Sequence, residues 1–347
     1  MWDAELDVVI AGAGGCGLIA ALSASESDLE VGVFEKTPFV LGNTAASAGM
    51  IPAANTRFQK AAGVEDTIEV MTRDILKKNN YESDPALTEA LCRISGPLVE
   101  WMSDSLNIPL SLVEEFTYPG HSYIRMHAPP SRSGLELMKA LKREVGKREN
   151  VYLMLNSEVK ELITNEENKV VGVEVHTPDG VQKIRAKKVI LATNGFGANK
   201  DMVQTYIPEI ANAQYFGYEA NTGDAIRMTE KLEAALSNLT AYQGHSAVAD
   251  SHGLLVTWGT IMMGGFMVNE QGERFGNEAH GYSEFAVEVL KQKGQAGYII
   301  FDQEIYDELL SIEDFQNLHE MKAFKSSNTI EGLAEKLAID EKNLFVT

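Results

Sequence analysis

A chain of 347 residues, 44% of them hydrophobic, is long enough for two packed domains, each with its own core. Its net charge of -20 argues against nucleic acid as a partner, because such a surface repels phosphate backbones. Cys16 and Cys92, the only two cysteines, are far apart and lack ligand spacing, which argues against a disulfide scaffold and against a metal site. No apolar run is long enough to insert in a membrane, and acidic residues stand in "MWDAELDVVIAGAG" where a secretory leader carries basic ones. The expectation is a soluble, cytoplasmic protein.

In chain order, "ELDVVIAGAGGCGLIAALSASES" is a short apolar run, a glycine cluster and a small-residue helix. "LEVGVFEK" follows as a second buried strand ending in Glu35, which makes a βαβ opening of the parallel-sheet kind. Residues 65 to 105 predict two or more amphipathic helices, with Asp84-Pro85 as a helix start. From Val151 the period changes to that of strands. "VYLMLNSEVKELIT", "KVVGVEVHT", "VQKIRA" and "KKVILATNG" are joined by "NEEN" and "PDG" turns, a small antiparallel meander that hands back to a buried strand over Val189 to Thr193. Beyond "TGDAIRMTEKL", residues 241 to 302 are rich in Gly, Met and short strands and predict a second domain. The fold class is α/β: a Rossmann-like domain with a parallel sheet and an antiparallel meander over 1–240, and an α+β domain over 241–347.

Gly12-Ala13-Gly14-Gly15-Cys16-Gly17 fits G-x-G-x-x-G, a weak pattern alone, since glycines cluster in many turns. Here a strand precedes it, a helix follows, and Glu35 ends the next strand 23 residues after Gly12. Such glycines allow a tight turn, close approach of a pyrophosphate to the helix N-terminus, and tight helix–strand packing; an acidic residue at Glu35 would hold ribose hydroxyls. The pattern predicts a dinucleotide.

"VFEKTPFVLGNTAASAGMIPAANTRFQKAAG" closely resembles the second FAD-binding segment of the fumarate reductase/succinate dehydrogenase flavoprotein superfamily, which includes soluble flavocytochrome fumarate reductases and 3-ketosteroid Δ1-dehydrogenases. "RMHAPPSRSGLELMKAL", "VILATNGFGANKDM", "NTGDAIRM", "MVNEQGERFGNE" and "AGYIIFDQ" are similar to further motifs of that family. The resemblance implies FAD as the cofactor. It places Gly42, Asn43, Thr44, Ser47, Ala48 and Gly49, with Lys36 and Met50 beside them, along the pyrophosphate and isoalloxazine. It gives Val159 backbone contacts to adenine, sets Thr193, Asn194 and Gly195 near the diphosphate, and puts Asp224 close by. Small residues suit these positions, because main-chain N–H groups must reach the cofactor. Cys16 is expected to pack as a small apolar residue. Asn194 stands where the family has glycine. The chain stops at "EKLAIDEKNLFVT", in what reads as a helix of the second domain, so a partial chain is expected, lacking the family's final segment.

In the fumarate reductases, the second domain caps the flavin and offers a histidine, a Thr-Glu pair with a following arginine, and a proton-delivering arginine after "RFxNE". Aligned without gaps over "LLVTWGTIMMGGFMVNEQGERFGNEAHGYSEF", His245 matches the histidine and Thr257 the threonine. Trp258 replaces the glutamate, Ile261 replaces an arginine, and Tyr282 takes the proton donor's place. Arginines bind and polarise a dicarboxylate. Their loss, together with Trp258 and Ile261 beside Met262 and Met263, predicts a less charged, apolar substrate. The 3-ketosteroid Δ1-dehydrogenases have a catalytic tyrosine at the position of Tyr282, so the resemblance implies hydride exchange with flavin N5 and proton exchange with Tyr282. A tyrosine is a reluctant base at neutral pH and needs a helper, with His245, Tyr118 and Tyr123 as candidates. His121 and His127 read as structural, and Arg125 as a residue behind the site.

Three functions stay open. The first is an FAD-dependent enzyme acting on a C=C bond next to the carbonyl of an apolar, cyclic, steroid-like ketone. The second is a fumarate-reductase-like reductase of α,β-unsaturated carboxylates, and the third a flavin-binding electron-transfer subunit. With no Cys-x-x-Cys-His for haem, electrons must come from or go to a separate partner.

Overall fold

The computed structural model describes residues 1–347. Its strands are β1 (Ala4–Ala11), β2 (Val31–Phe34), β3 (Ile51–Pro52), β4 (Ser111–Leu112), β5 (Met126–Ala128), β6 (Val151–Met154), β7 (Glu158–Thr164), β8 (Val170–Thr177), β9 (Gly180–Leu191), β10 (Phe266–Val268) and β11 (Tyr298–Ile300). The helices are α1 (Gly15–Ser25), α2 (Gly42–Ala45), α3 (Arg57–Ala61), α4 (Ile68–Lys78), α5 (Pro85–Asp104), α6 (Gly134–Val145), α7 (Lys200–Tyr206), α8 (Asp224–Glu230), α9 (Gly259–Met262) and α10 (Tyr282–Lys291). Four more follow: α11 (Gln303–Leu309), α12 (Glu313–Glu320), α13 (Ile330–Leu337) and α14 (Glu341–Val346). No helix is long and apolar enough to cross a membrane.

The elements form two compact units. The first comprises Met1–Met50, Trp101–Leu110 and Ala128–Ala241, and the second Ile51–Glu100, Ser111–His127 and Tyr242–Thr347. Residues 51–100 and 111–127, which the sequence boundary had assigned to the first domain, thus belong to the second unit. They are tied together there by contacts that no local pattern announces. Arg125, 1% exposed, forks onto Asp66 (2.6 and 2.9 Å) and also reaches Asp74 (2.7 Å), while Ala54, Met71 and Cys92 pack as one apolar cluster.

The first unit is built on a six-stranded sheet in the order β6-β2-β1-β9-β8-β7. β6, β2, β1 and β9 run parallel, and β8 and β7 continue antiparallel from β9. The buried end of β1, Val8 to Ala11, is apolar on both faces, as a covered parallel strand requires. Two strand readings need correction. "VYLMLNSEVKELIT" is not one strand: β6 pairs with β2, and only β7 joins the meander, at a turn where Ser157 N–H bonds Glu35 O (2.8 Å). "VQKIRA" and "KKVIL" are one long strand, β9, which serves as meander edge at one end and parallel partner of β1 at the other. The core of this unit lies around Val9, Phe34, Val159, Val173, Val175 and Ile184.

The second unit has two small sheets, β3-β5-β4 and β10-β11, among helices. Its helix starts follow local capping chemistry. Thr56 and Gln59 form a reciprocal capping box on α3, and Thr67 Oγ1 accepts from Val70 N–H at the start of α4.

Candidate active site

The glycine turn follows β1 directly. At Gly17 a Cβ would lie 2.0 Å from Gly12 O, and at Gly12 one would lie 2.5 Å from Ala192 O, so both positions are closed by backbone. Gly14 differs: it caps α1 in ordinary extended geometry, and a Cβ there would meet nothing within 4 Å. Ala13 N–H donates to Glu35 Oε2 (2.9 Å), while Thr37 N–H and Oγ1 donate to Oε1 (3.0 and 2.9 Å), which fixes the buried carboxylate against the turn. Gly15 N–H donates to Thr44 Oγ1 (3.3 Å), and a Cβ on Gly42 would stand 3.3 Å from Gly14 Cα. The two glycine-bearing segments that the sequence assigned to the cofactor therefore lie side by side.

The rest of the set gathers around them within the same unit. Asn43 Oδ1 accepts from Tyr218 N–H (2.5 Å). Ser47 Oγ donates to Thr44 O (2.8 Å) and accepts from Gly49 N–H (3.1 Å); Ala48 and Met50 are half-buried. Lys36 Nζ pairs with Asp224 (2.6 Å) and donates to Thr222 Oγ1 (2.9 Å), and Arg227 closes on the same carboxylate. Val159 is buried at a register shift of β7. Asn194 takes φ +64°, a left-handed conformation that asparagine tolerates, and its Oδ1 accepts from Gly195 N–H (2.9 Å). Asparagine thus supports a left-handed turn at this position. Thr193 Oγ1 and Asn221 Oδ1 are buried with no partner, and a Cβ on Gly195 would meet only Asn221 Oδ1, at 3.8 Å. Orphaned polar atoms beside open glycines suit a polar ligand. Cys16 is exposed, contrary to expectation: α1 buries Gly17, Leu18, Ala21 and Leu22, and position 16 falls on the opposite side of the helix.

In the second unit, the segment before Tyr282 is braced by its own side chains. Arg274 Nη2 meets Glu278 Oε2 (2.8 Å), and Met267 N–H donates to Glu278 Oε1 (2.9 Å). Gly281 follows at φ +107° and ψ 162°, a conformation only glycine adopts readily, and α10 then begins with Tyr282. Tyr282 packs edge-on to Tyr118 (ring centroids 6.2 Å apart) and to Trp258 (6.4 Å), and lies 5.1 Å from the His245 ring. Its hydroxyl is held by Gln243 Nε2 (2.5 Å). Burial pushes the phenol up; the Gln243 hydrogen bond opposes this, and Glu284 adds to it. His245 Nδ1 accepts from Ala247 N–H (3.2 Å), which leaves the proton on Nε2, and burial lowers its pKa to about 4.

The apolar residues do not line up as one wall. Trp258, 2% exposed, is in the core with Met267 and Phe285, its indole N–H unpartnered. Ile261 and Met262 are half-buried against that core, and Met263 is 39% exposed. α9 is only a single turn, so successive residues leave it in different directions. Thr257 Oγ1 accepts from Gly259 N–H (3.2 Å) at its start. His127 is buried between Thr56 Oγ1 (2.9 Å) and Arg125 O (2.8 Å). Burial lowers the pKa of His121. Tyr123 is exposed. Sequence reasoning missed Gln243, which carries no motif of its own, and Lys78, which reaches Glu284 (2.5 Å) and His280 O (2.7 Å) from far along the chain.

His245 makes stability depend on pH. In the unfolded chain it takes up a proton near its ordinary value of 6.5, whereas in the fold it stays neutral to about 4. Stability is therefore expected to fall as pH drops from about 6.5 to about 4 and to level off below. His245→Gln should flatten that slope in denaturant titrations across the range; an unchanged slope would contradict the assignment.

The parallel sheet, the glycine turn at a helix N-terminus and the carboxylate ending the second strand define a Rossmann-type dinucleotide-binding protein. A family described as FAD binding domain matches residues 7–338; the chain belongs to that family, and its cofactor is FAD. A fumarate reductase (cytochrome) of Shewanella frigidimarina is 31% identical over 316 residues, covering 90% of this chain and 55% of that protein. A urocanate reductase of Eggerthella lenta is 29% identical over 355 residues, covering 99% of this chain and 58% of that one. Among solved structures, the open conformation of a flavocytochrome c3 fumarate reductase superposes with a TM-score of 0.82 at 29% identity, covering 99% of this chain and 60% of that one. A 3-ketosteroid-Δ4-(5α)-dehydrogenase from Rhodococcus jostii RHA1 shares the fold, with a TM-score of 0.76, 24% identity, and coverage of 100% of this chain and 76% of that one. The chain thus spans rather more than half the length of the two curated relatives.

Proposed function

We propose that this chain is the FAD-binding and proton-transferring part of an oxidoreductase that introduces or reduces a C=C bond next to a carbonyl, on an apolar, cyclic, ketone-bearing substrate. The carrying observation is the surroundings of Tyr282. Its ring stands among Tyr118, Trp258 and a neutral His245, its hydroxyl is held by Gln243, and three cations of this unit are already paired: Arg274 with Glu278, Lys78 with Glu284, Arg125 with Asp66 and Asp74. A dicarboxylate bound there would have to compete with those carboxylate partners for a counter-charge, and burying an unpaired carboxylate costs several kcal/mol, roughly.

FAD, when bound, supplies the hydride donor or acceptor. The protein's own residues do the rest. For reduction, Tyr282 gives its phenolic proton to the carbon beside the carbonyl; for dehydrogenation, its phenolate takes that proton. Gly12, Gly14 and Gly15 with Gly42, Asn43 and Thr44 would hold the diphosphate, and Glu35 the ribose. Thr193, with its unpartnered hydroxyl, would face the same group. Electrons pass to or from a separate partner.

A second reading, reduction of an α,β-unsaturated carboxylate, is favoured by the names of the relatives, which include fumarate and urocanate reductases. Turnover of a cyclic enone compared with fumarate and urocanate, using the FAD-loaded protein and a reduced dye as electron source, separates the two. The enone is expected to lead by at least about tenfold in kcat/KM, about 1.4 kcal/mol in transition-state binding. Preference for either acid would transfer the assignment to the second reading.

A further inference from the structure

Resting on that reading of Tyr282, we infer that Gln243 is the positioning residue for proton transfer: its side-chain amide donates to the Tyr282 hydroxyl oxygen and so holds that oxygen in place and supports it as an anion. Three hydrogen bonds join the segment around Gln243 to the start of α10. Gln243 Nε2 reaches Tyr282 Oη (2.5 Å), Gly244 N–H reaches Ser283 Oγ (2.9 Å), and Ser246 N–H reaches Tyr282 O (3.2 Å). The amide is therefore held on a segment fixed at both ends of the tyrosine, main chain and hydroxyl alike. An N–H aimed at a phenolic oxygen is a stronger bond once that oxygen is charged, so it favours the phenolate. Tyr282 also occupies the first position of a ten-residue helix, where the partial positive charge of the N-terminus acts in the same sense.

His245, the nearest ring, does not supply this. His245 is neutral, and its Nδ1 is engaged by Ala247. Tyr118 and Trp258 meet the Tyr282 ring at steep angles, ring against ring. Among charged or titratable neighbours, Glu284 on α10 is paired with Lys78 of α4, Lys78 also caps His280 O in the preceding turn, and His121 lies beyond Tyr118. Burial works against the phenolate, and Gln243 is the side chain that offsets it. The helper that a tyrosine needs is thus an amide, which stays in one charge state across the working pH range.

The test reads the tyrosine itself and needs no substrate. FAD-loaded protein labelled with 13Cζ-tyrosine is titrated by NMR, the Tyr282 signal being assigned by its loss in Tyr282→Phe. Gln243→Leu should raise the Tyr282 titration midpoint by about one pH unit, the value of one hydrogen bond to the charged form. Gln243→Glu should raise it further, because a carboxylate cannot donate and repels the phenolate. In turnover, both variants should shift the alkaline limb of the kcat profile by the same amount, with KM changed less than twofold. A midpoint that stays put or falls in both variants overturns the inference, since a merely structural glutamine, or one presenting its carbonyl, gives that result. Because the NMR midpoint is substrate-free, a wrong substrate class leaves it standing, and failure of the midpoint leaves the substrate assignment standing.

Discussion

Tyr282→Phe is expected to lower kcat by about 10²–10⁴-fold while leaving FAD bound, the usual worth of a positioned general acid or base. The substitution removes one hydroxyl and little volume. The ring stays against Tyr118, His245 and Trp258, so the aromatic cluster persists, and the stability cost is about 1 kcal/mol for the bond Gln243 loses. The glycine turn and the Gly42–Gly49 segment, proposed to hold the flavin, belong to the other unit. The pH dependence gives a sharper reading than the rate alone. Burial raises the phenol's pKa, so at neutral pH the group is protonated, ready as an acid and short of base. Reduction should therefore hold level and decline at alkaline pH, and dehydrogenation should climb with pH. A phenylalanine ring has no proton to lose, and both trends should vanish in the variant. Near-normal turnover, or an unchanged alkaline limb, would mean that the proton travels through another residue.

The cofactor half of the molecule was legible because its signals are local. An apolar run, a glycine cluster and an acidic residue at fixed spacing lie within 32 residues, Ala4 to Glu35, and the structure seats Glu35 on the turn itself. Partners that meet only after folding were not legible. β6 follows the strand period as well as β7 does, and only the parallel place beside β2 separates them. Residues 65–105 read as helices inside the first domain, but the buried fork of Arg125 onto Asp66 and Asp74 ties two stretches of the second unit, 51–100 and 111–127, to each other. In the second unit, the Arg274–Glu278 pair and Gly281 lead into the helix that starts at Tyr282, whereas apolar character alone did not tell a buried residue from an exposed one. Trp258 and Met263 are five residues apart, and one is 2% exposed, the other 39%. Gln243 could not be found from sequence, since glutamine on a loop has no spacing signature.

Replacing Gly14 with leucine should weaken FAD binding by at least about 100-fold, about 2.8 kcal/mol, without unfolding the protein. The two halves of that expectation come from different features of one position. Gly14 has φ -72° and ψ -177°, extended backbone that any residue adopts, and a Cβ there meets no atom within 4 Å. The fold therefore has no need of glycine at this point. The open space lies at the N-terminus of α1, whose first N–H groups have no partner inside the helix and are suited to an anionic diphosphate. A side chain there would occupy the place proposed for the diphosphate. Gly17 provides the contrast, because its Cβ would stand 2.0 Å from Gly12 O, and Gly17→Ala should lose stability along with flavin. Apo-protein titrated with FAD, followed by quenching of flavin fluorescence, reads the affinity, and thermal unfolding of the same apo samples reads the fold. The Gly14→Leu variant should keep an unfolding midpoint close to that of the parent while its titration curve flattens. Retained flavin in Gly14→Leu would show that the diphosphate does not use this helix end, and the residues assigned to it here would need a different ligand pose.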